Sequence, residues 1–196
     1  MKAQRIALLA ASTVPAVVLT GCTISDATDR SQPATHTTLS LAAPSPVAAD
    51  ATLSRQVPTG RGGTRDCNTT GTAGDDGFPE HTLDWNVADR LYKLLETQGV
   101  QVAFSRPDDA SVGPCVDVRA QTADSWDADA AVSIHADGTA ATDHGFHVNL
   151  SSPPTVLVEC GNMRNSADEA VLNSADGQQR TAQALADGLA AFLSRR

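Results

Sequence analysis

Apolar residues recur at helical spacing through Leu83, Val87, Leu91, Leu94 and Leu95, which predicts an amphipathic helix with Thr82 as its cap and Gly99 as its stop. Val100, Val102 and Phe104 then alternate with Gln101 and Ala103, the period of a strand. Residues 115–125 form a second helical stretch, and residues 130–134, 145–150 and 155–159 are three further short strands. A closing helix over 178–195 places Ala182, Leu185, Leu189, Phe192 and Leu193 on one face, with Asp176 as its cap. Helices alternating with short apolar strands imply an α/β fold: a mixed, mainly parallel sheet flanked by helices. One link constrains the topology. Residues 150–154, Leu-Ser-Ser-Pro-Pro, are too few for a parallel crossover, which takes about a dozen residues or more, so the strands they join are antiparallel, non-adjacent or displaced.

Upstream of this domain the pattern changes twice. Lys2 and Arg5 precede an apolar stretch over residues 6–19, too short and too interrupted by Pro15 to span a membrane, but suited to an export leader. It ends in Leu19-Thr20-Gly21-Cys22, which resembles the bacterial lipobox, whose cysteine becomes the lipidated first residue of the mature protein. A plain leader with a chance cysteine would equally imply export. Residues 22–53 are rich in Ser, Thr, Ala and Pro without apolar periodicity and read as a disordered tether. The expected organisation is a lipoprotein leader over 1–21, a tether over 22–53 and one domain over 54–196, anchored to the membrane by lipid and facing the cell wall.

Charge and cysteines narrow the chemistry. A net charge of -9 and the lack of a basic stripe argue against a nucleic-acid partner. The glycine-rich run 59–64 has no Gly-Lys-Ser/Thr ending and no strand before it, which rejects a phosphate-binding loop. With Cys22 assigned to lipid, Cys67 and Cys115 lie in polar loops of an exported domain and are expected to pair. Cys160 follows Glu159 in a strand and so faces the opposite way, as a small buried hydrophobe.

Three polar residues stand at the edges of the predicted elements: Glu80 before the first helix, His135 after the strand over 130–134, and Glu159 at the end of Val-Leu-Val-Glu. Ligands collect at the carboxyl ends of strands in α/β sheets. A histidine there serves as a metal ligand, a general base or a hydrogen-bonded rim residue, and two carboxylates beside it are the parts of a catalytic zinc site.

The sequence blocks around these residues carry a family resemblance. Pro79-Glu-His-Thr82, Phe104-Ser-Arg106, Val132-Ser-Ile-His-Ala-Asp137, Gly145-Phe-His-Val-Asn149 and Val156-Leu-Val-Glu-Cys-Gly-Asn162 resemble, in order, blocks of the zinc-dependent N-acetylmuramoyl-L-alanine amidases. Gln56-Val-Pro-Thr-Gly-Arg-Gly-Gly63 and the Cys67 and Cys115 pair are similar to an exported single-domain branch of that family. The resemblance implies Glu80 and His135 as ligands of one zinc ion and Glu159 as the catalytic glutamate. It further implies hydrolysis of the amide between the lactyl group of N-acetylmuramic acid and the L-alanine of peptidoglycan. Asp137 is expected to orient the His135 ring or to serve as a turn residue.

The chain departs from the family pattern at two places. Family members open with an apolar strand ending in Asp-Pro-Gly-His, whose histidine completes the zinc site; residues 44–53, Pro-Ser-Pro-Val-Ala-Ala-Asp-Ala-Thr-Leu, hold neither strand nor histidine. The fold is therefore expected to lack its first strand. His36, His81, His144 and His147 are read as surface or rim imidazoles. A helix-containing insert is also missing after Asn149. The leading expectation is a monomeric amidase acting on peptidoglycan; the rival is a catalytically degenerate lipoprotein that binds cell-wall fragments or a partner protein.

Overall fold

The computed structural model describes residues 5–10, 16–20, 54–59, 62–125, 127–151 and 155–195. Two strands come first, β1 (Arg5–Ala10) and β2 (Ala16–Thr20). A small hairpin follows, β3 (Gln56–Pro58) and β4 (Thr64–Asp66). The remaining elements are α1 (Glu80–Glu96), β5 (Gln101–Phe104), α2 (Val116–Ser125), β6 (Ala130–Asp137), β7 (His147–Ser151), β8 (Thr155–Asn162), α3 (Ser166–Leu172) and α4 (Ala175–Leu193).

The main sheet has the order β5-β2-β1-β6-β8-β7. Its centre is parallel, β1 with β6 and β6 with β8, while β1–β2, β2–β5 and β7–β8 are antiparallel. The short link at 150–154 thus joins antiparallel neighbours, the arrangement that a link without a crossover allows.

The largest difference from expectation lies beside β6. The expected gap in the sheet is filled by Arg5–Ala10, from the stretch read as an export leader. A leader's apolar region and a buried strand share one pattern, a short apolar run, so the sequence supports both readings of these residues. Parallel register pairs Ala10 with Ile134, and the described strand ends there, one step before His135. Residues 21–53, with Cys22, His36 and the expected tether, lie outside the described residues.

One face of β6 offers Ala130, Val132, Ile134 and Ala136 to a core built with Leu83, Val87, Leu91 and Leu95 of α1 and Ala182, Ala186, Leu189 and Leu193 of α4. Burying each large aliphatic side chain stabilises the fold by about 1.5–3 kcal/mol relative to exposure. On the opposite face Ala131 meets Ala123 of α2. Alternation along the strand therefore frees Ser133 and His135 for a polar site.

Helix ends differ in detail from the sequence reading. Pro79, not Thr82, stands at the N-cap of α1. The Thr82 hydroxyl instead donates to Asp109 Oδ2 at 2.7 Å, tying the helix to the loop after β5. Gly99, at φ 72°, ends the helix as expected, where a side chain would strain the left-handed backbone. Ser174 rather than Asp176 caps α4, accepting from the Gly177 amide at 3.0 Å. Cys67 and Cys115 form the expected disulfide, which holds the β3–β4 hairpin against the start of α2.

Candidate metal centre and catalytic site

Glu80 opens α1 at the carboxyl end of β6, and its backbone fixes it there: the Glu80 amide donates to the Thr72 carbonyl at 3.0 Å. Its carboxylate is buried, and the Thr72 amide donates to Oε2 at 2.8 Å. Oε1 lies 3.1 Å from His135 Nδ1. Ser133, two residues before His135 on the same strand face, places Oγ 3.0 Å from His135 Nε2. Both ring nitrogens are thereby engaged. With Nε2–H donating to Ser133, the Nδ1 lone pair points toward the Glu80 carboxylate, the orientation a metal-ligating imidazole needs.

Glu159 is the register partner of His135 across the parallel β6–β8 pair, so the two side chains project from the same sheet face. Burial pushes the Glu159 carboxyl up to about 7; His135 pulls it down, while Asp137 and Glu80 add to the rise. A carboxyl in that range takes or gives a proton near neutral pH. Together with Glu80, His135, Asp137 and Ser133 it lines a cavity of about 440 Å3, with Thr72, Arg65 and Arg119 on other walls.

Asp137 does not orient His135. Its carboxylate lies 3.3 Å from His147 Nδ1, at the rim, while the His135 ring is held by Glu80 and Ser133. His147 is in turn paired in register with Glu159 across β7 and β8, which sets the Asp137–His147 pair beside the catalytic edge. His81 is not drawn into the site either; its Nδ1 lies 2.9 Å from Asp109 Oδ1.

One site residue escaped the sequence reading. Asp84 sits one turn after Glu80 on the same face of α1, fully buried, and neither carboxylate oxygen has a hydrogen-bond partner. Ligand atoms of Glu80, Asp84 and His135 all lie within 4.8 Å of one another. Burial, then the Glu80 charge, holds the Asp84 carboxyl well above the usual carboxylate range, offset in part by the Arg106 charge. A signal was present: Asp84 interrupts the otherwise apolar stripe of Leu83, Val87, Ala88 and Leu91 at i+4 from a predicted ligand.

Cys160 behaves as expected of the opposite face. It packs against the core and lines an apolar groove of about 670 Å3 between β7, β8 and α4. Among the described residues no helix is long and apolar enough to cross a membrane.

Comparison with known proteins identifies the family. The family model described as N-acetylmuramoyl-L-alanine amidase matches residues 57–153 and 148–191, two stretches that meet at the β7–β8 link. An N-acetylmuramoyl-L-alanine amidase of Mycobacterium tuberculosis is 38% identical over 196 aligned positions, covering 74% of this chain and 81% of that protein. The crystal structure of the amidase Ami1 of Mycobacterium smegmatis superposes with a TM-score of 0.73 at 39% identity, covering 76% of this chain and 93% of Ami1. AmiC2 of Nostoc punctiforme, at 24% identity and a TM-score of 0.59, shares the fold. The matched stretches contain Glu80, His135 and Glu159, and the chain belongs to the N-acetylmuramoyl-L-alanine amidase family of hydrolases.

Proposed function

We propose that this chain hydrolyses the amide between N-acetylmuramic acid and the L-alanine of peptidoglycan, with Glu80 and His135 holding a zinc ion and Glu159 acting as general base and acid. The observation that carries the reading is the juxtaposition of a His135–Glu80 donor pair with Glu159, whose carboxyl burial raises to about 7. The donor set fits zinc. Two donors bound at 2.0–2.2 Å in a tetrahedral shell stand roughly 3.3–3.6 Å apart, close to the 3.1 Å between Glu80 Oε1 and His135 Nδ1. When bound, zinc would lower the pKa of its water to about 7 and polarise the scissile carbonyl.

The remaining work falls to the chain. Glu159 takes a proton from the attacking water as its oxygen bonds to the lactyl carbonyl carbon. The same carboxyl then gives that proton to the alanine nitrogen as the C–N bond breaks, leaving a carboxylic acid on the sugar, which then ionises to water, and a free amine on the stem peptide. Ser133 fixes the His135 ring, and the Thr72 amide fixes the Glu80 carboxylate.

Peptidoglycan lies outside the cytoplasm, and the lipobox-like Leu19-Thr-Gly-Cys22 supports export and anchoring at Cys22. Cleavage there would remove β1 and β2, so the anchored chain and the six-stranded sheet are alternative forms. A second reading, a non-catalytic wall-binding domain, is favoured by the end of β1 at Ala10, beside β6 but without the family's histidine. Zinc analysis of the purified chain, run with intact peptidoglycan as substrate, separates the two. Bound zinc and release of stem peptides with an L-alanine amino terminus support the enzyme; bound wall polymer without release supports the rival.

A further inference from the structure

A catalytic zinc site usually has three protein ligands, and Glu80 with His135 makes two. The strand that supplies the third in the family is replaced by β1, whose described residues carry no histidine. Asp84 supplies what is missing. Its carboxylate is fully buried, unpartnered and within 4.8 Å of the ligand atoms of both Glu80 and His135. A buried carboxyl without a hydrogen-bond partner ionises only where a cation meets it, and no ion pair within 4.0 Å involves Asp84 among the described residues.

The spacing supports the same conclusion. Glu80 and Asp84 are four residues apart in one unbroken helix, so their side chains project from one face, the geometry by which paired helical ligands in other zinc enzymes grip a single ion. Removing a third of the usual ligand set would leave an acidic cluster with no cation; placing the ion among two carboxylates and one imidazole neutralises it.

We propose that Asp84 is the third metal ligand of this chain, so that the site is built from α1 and β6 alone, with donors Glu80, Asp84 and His135. This rests on the zinc reading given above. It departs from the family's own ligand set, and it makes the metal site independent of the amino-terminal segment.

The test is equilibrium dialysis of the full chain against zinc, with metal content measured by mass spectrometry and folding checked by circular dichroism. The unmodified chain is expected to hold one zinc. Asp84→Asn is expected to weaken zinc affinity by more than about 100-fold, beyond the loss from removing a residue that only orients a ligand. A smaller loss overturns the inference and leaves the zinc reading standing. His36→Ala is expected to leave affinity unchanged; a comparable loss there would assign the third ligand to His36 instead. An unmodified chain that holds no zinc overturns both readings. Should Asp84→Asn fail to fold, the zinc-loaded crystal structure of the unmodified chain decides: an Asp84 oxygen about 2.0–2.2 Å from the ion supports the assignment, and one beyond about 3 Å refutes it.

Discussion

His135 on β6 and Glu159 on β8 are register partners of a parallel pair, which sets a buried imidazole and a half-buried carboxyl side by side on one sheet face. Each is useful because of the other. A base without the neighbouring donor pair has no activated water to deprotonate, and a donor pair without the base has nowhere to send the proton.

Replacing Glu159 by Gln should therefore lower amidase turnover by about 100- to 10,000-fold, the usual contribution of a positioned general base. Zinc content should stay close to that of the unmodified chain, because the amide keeps the shape of the carboxyl. Loss of zinc along with activity would instead make Glu159 a ligand.

The same residue predicts a pH dependence in the metal-free protein. Folding raises the Glu159 carboxyl from 4.5 to about 7, so between those values the native state binds more protons than the unfolded state. Stability contributed by this group is present below about 4.5, falls as pH rises through the window, and is gone above about 7. Melting curves recorded in chelator from pH 4.5 to 8 should show a decline for the unmodified chain that Glu159→Gln lacks. Parallel profiles would contradict the raised carboxyl.

The Cys67–Cys115 disulfide closes a loop with a sequence separation of 48. On the chain-entropy model such a crosslink stabilises by about 4 kcal/mol, and reduction should shift unfolding to lower denaturant accordingly. Because Arg65 and Val116 line the same cavity as Glu159, reduction should also weaken substrate hydrolysis. Unfolding curves under oxidising and reducing conditions, paired with activity, measure both.

Residues 5–10 and 16–20 either stay in the sheet or leave with a cleaved leader. A full-length chain carrying Cys22→Ser, which blocks lipidation, should unfold at higher denaturant than a chain beginning at Cys22. The reason is local: without β1 and β2, β6 loses a parallel neighbour and β5 its antiparallel one. Equal midpoints would show that the two strands add nothing to the folded domain.

Much of this architecture was legible because the elements obey simple periods. Val87, Leu91 and Leu95 mark α1, Val132 and Ile134 mark β6, and the short link before Thr155 excludes a parallel crossover from β7 to β8. Glu80, His135 and Glu159 stood out because they sit at predicted element ends, and the roles expected of them came from the family resemblance. Asp84 was harder to see, since its burial depends on how α1 meets the sheet edge rather than on local pattern. Asp137 was left between an orienting role and a turn role because chain proximity says little where the register shifts; the β6–β8 pairing is irregular between His135 and Asp137. The amino-terminal strands were hidden by their own composition, which suits a leader as well as a sheet interior.

Amide hydrolysis with Glu159 as the base is tested by digestion of intact peptidoglycan by the unmodified chain in the presence of zinc, with Glu159→Gln alongside and the soluble products identified by mass spectrometry. Stem peptides with a free L-alanine amino terminus are expected from the unmodified chain, and at least about 100-fold less from the variant. Equal release from both proteins, or none from a zinc-loaded unmodified chain, would contradict it.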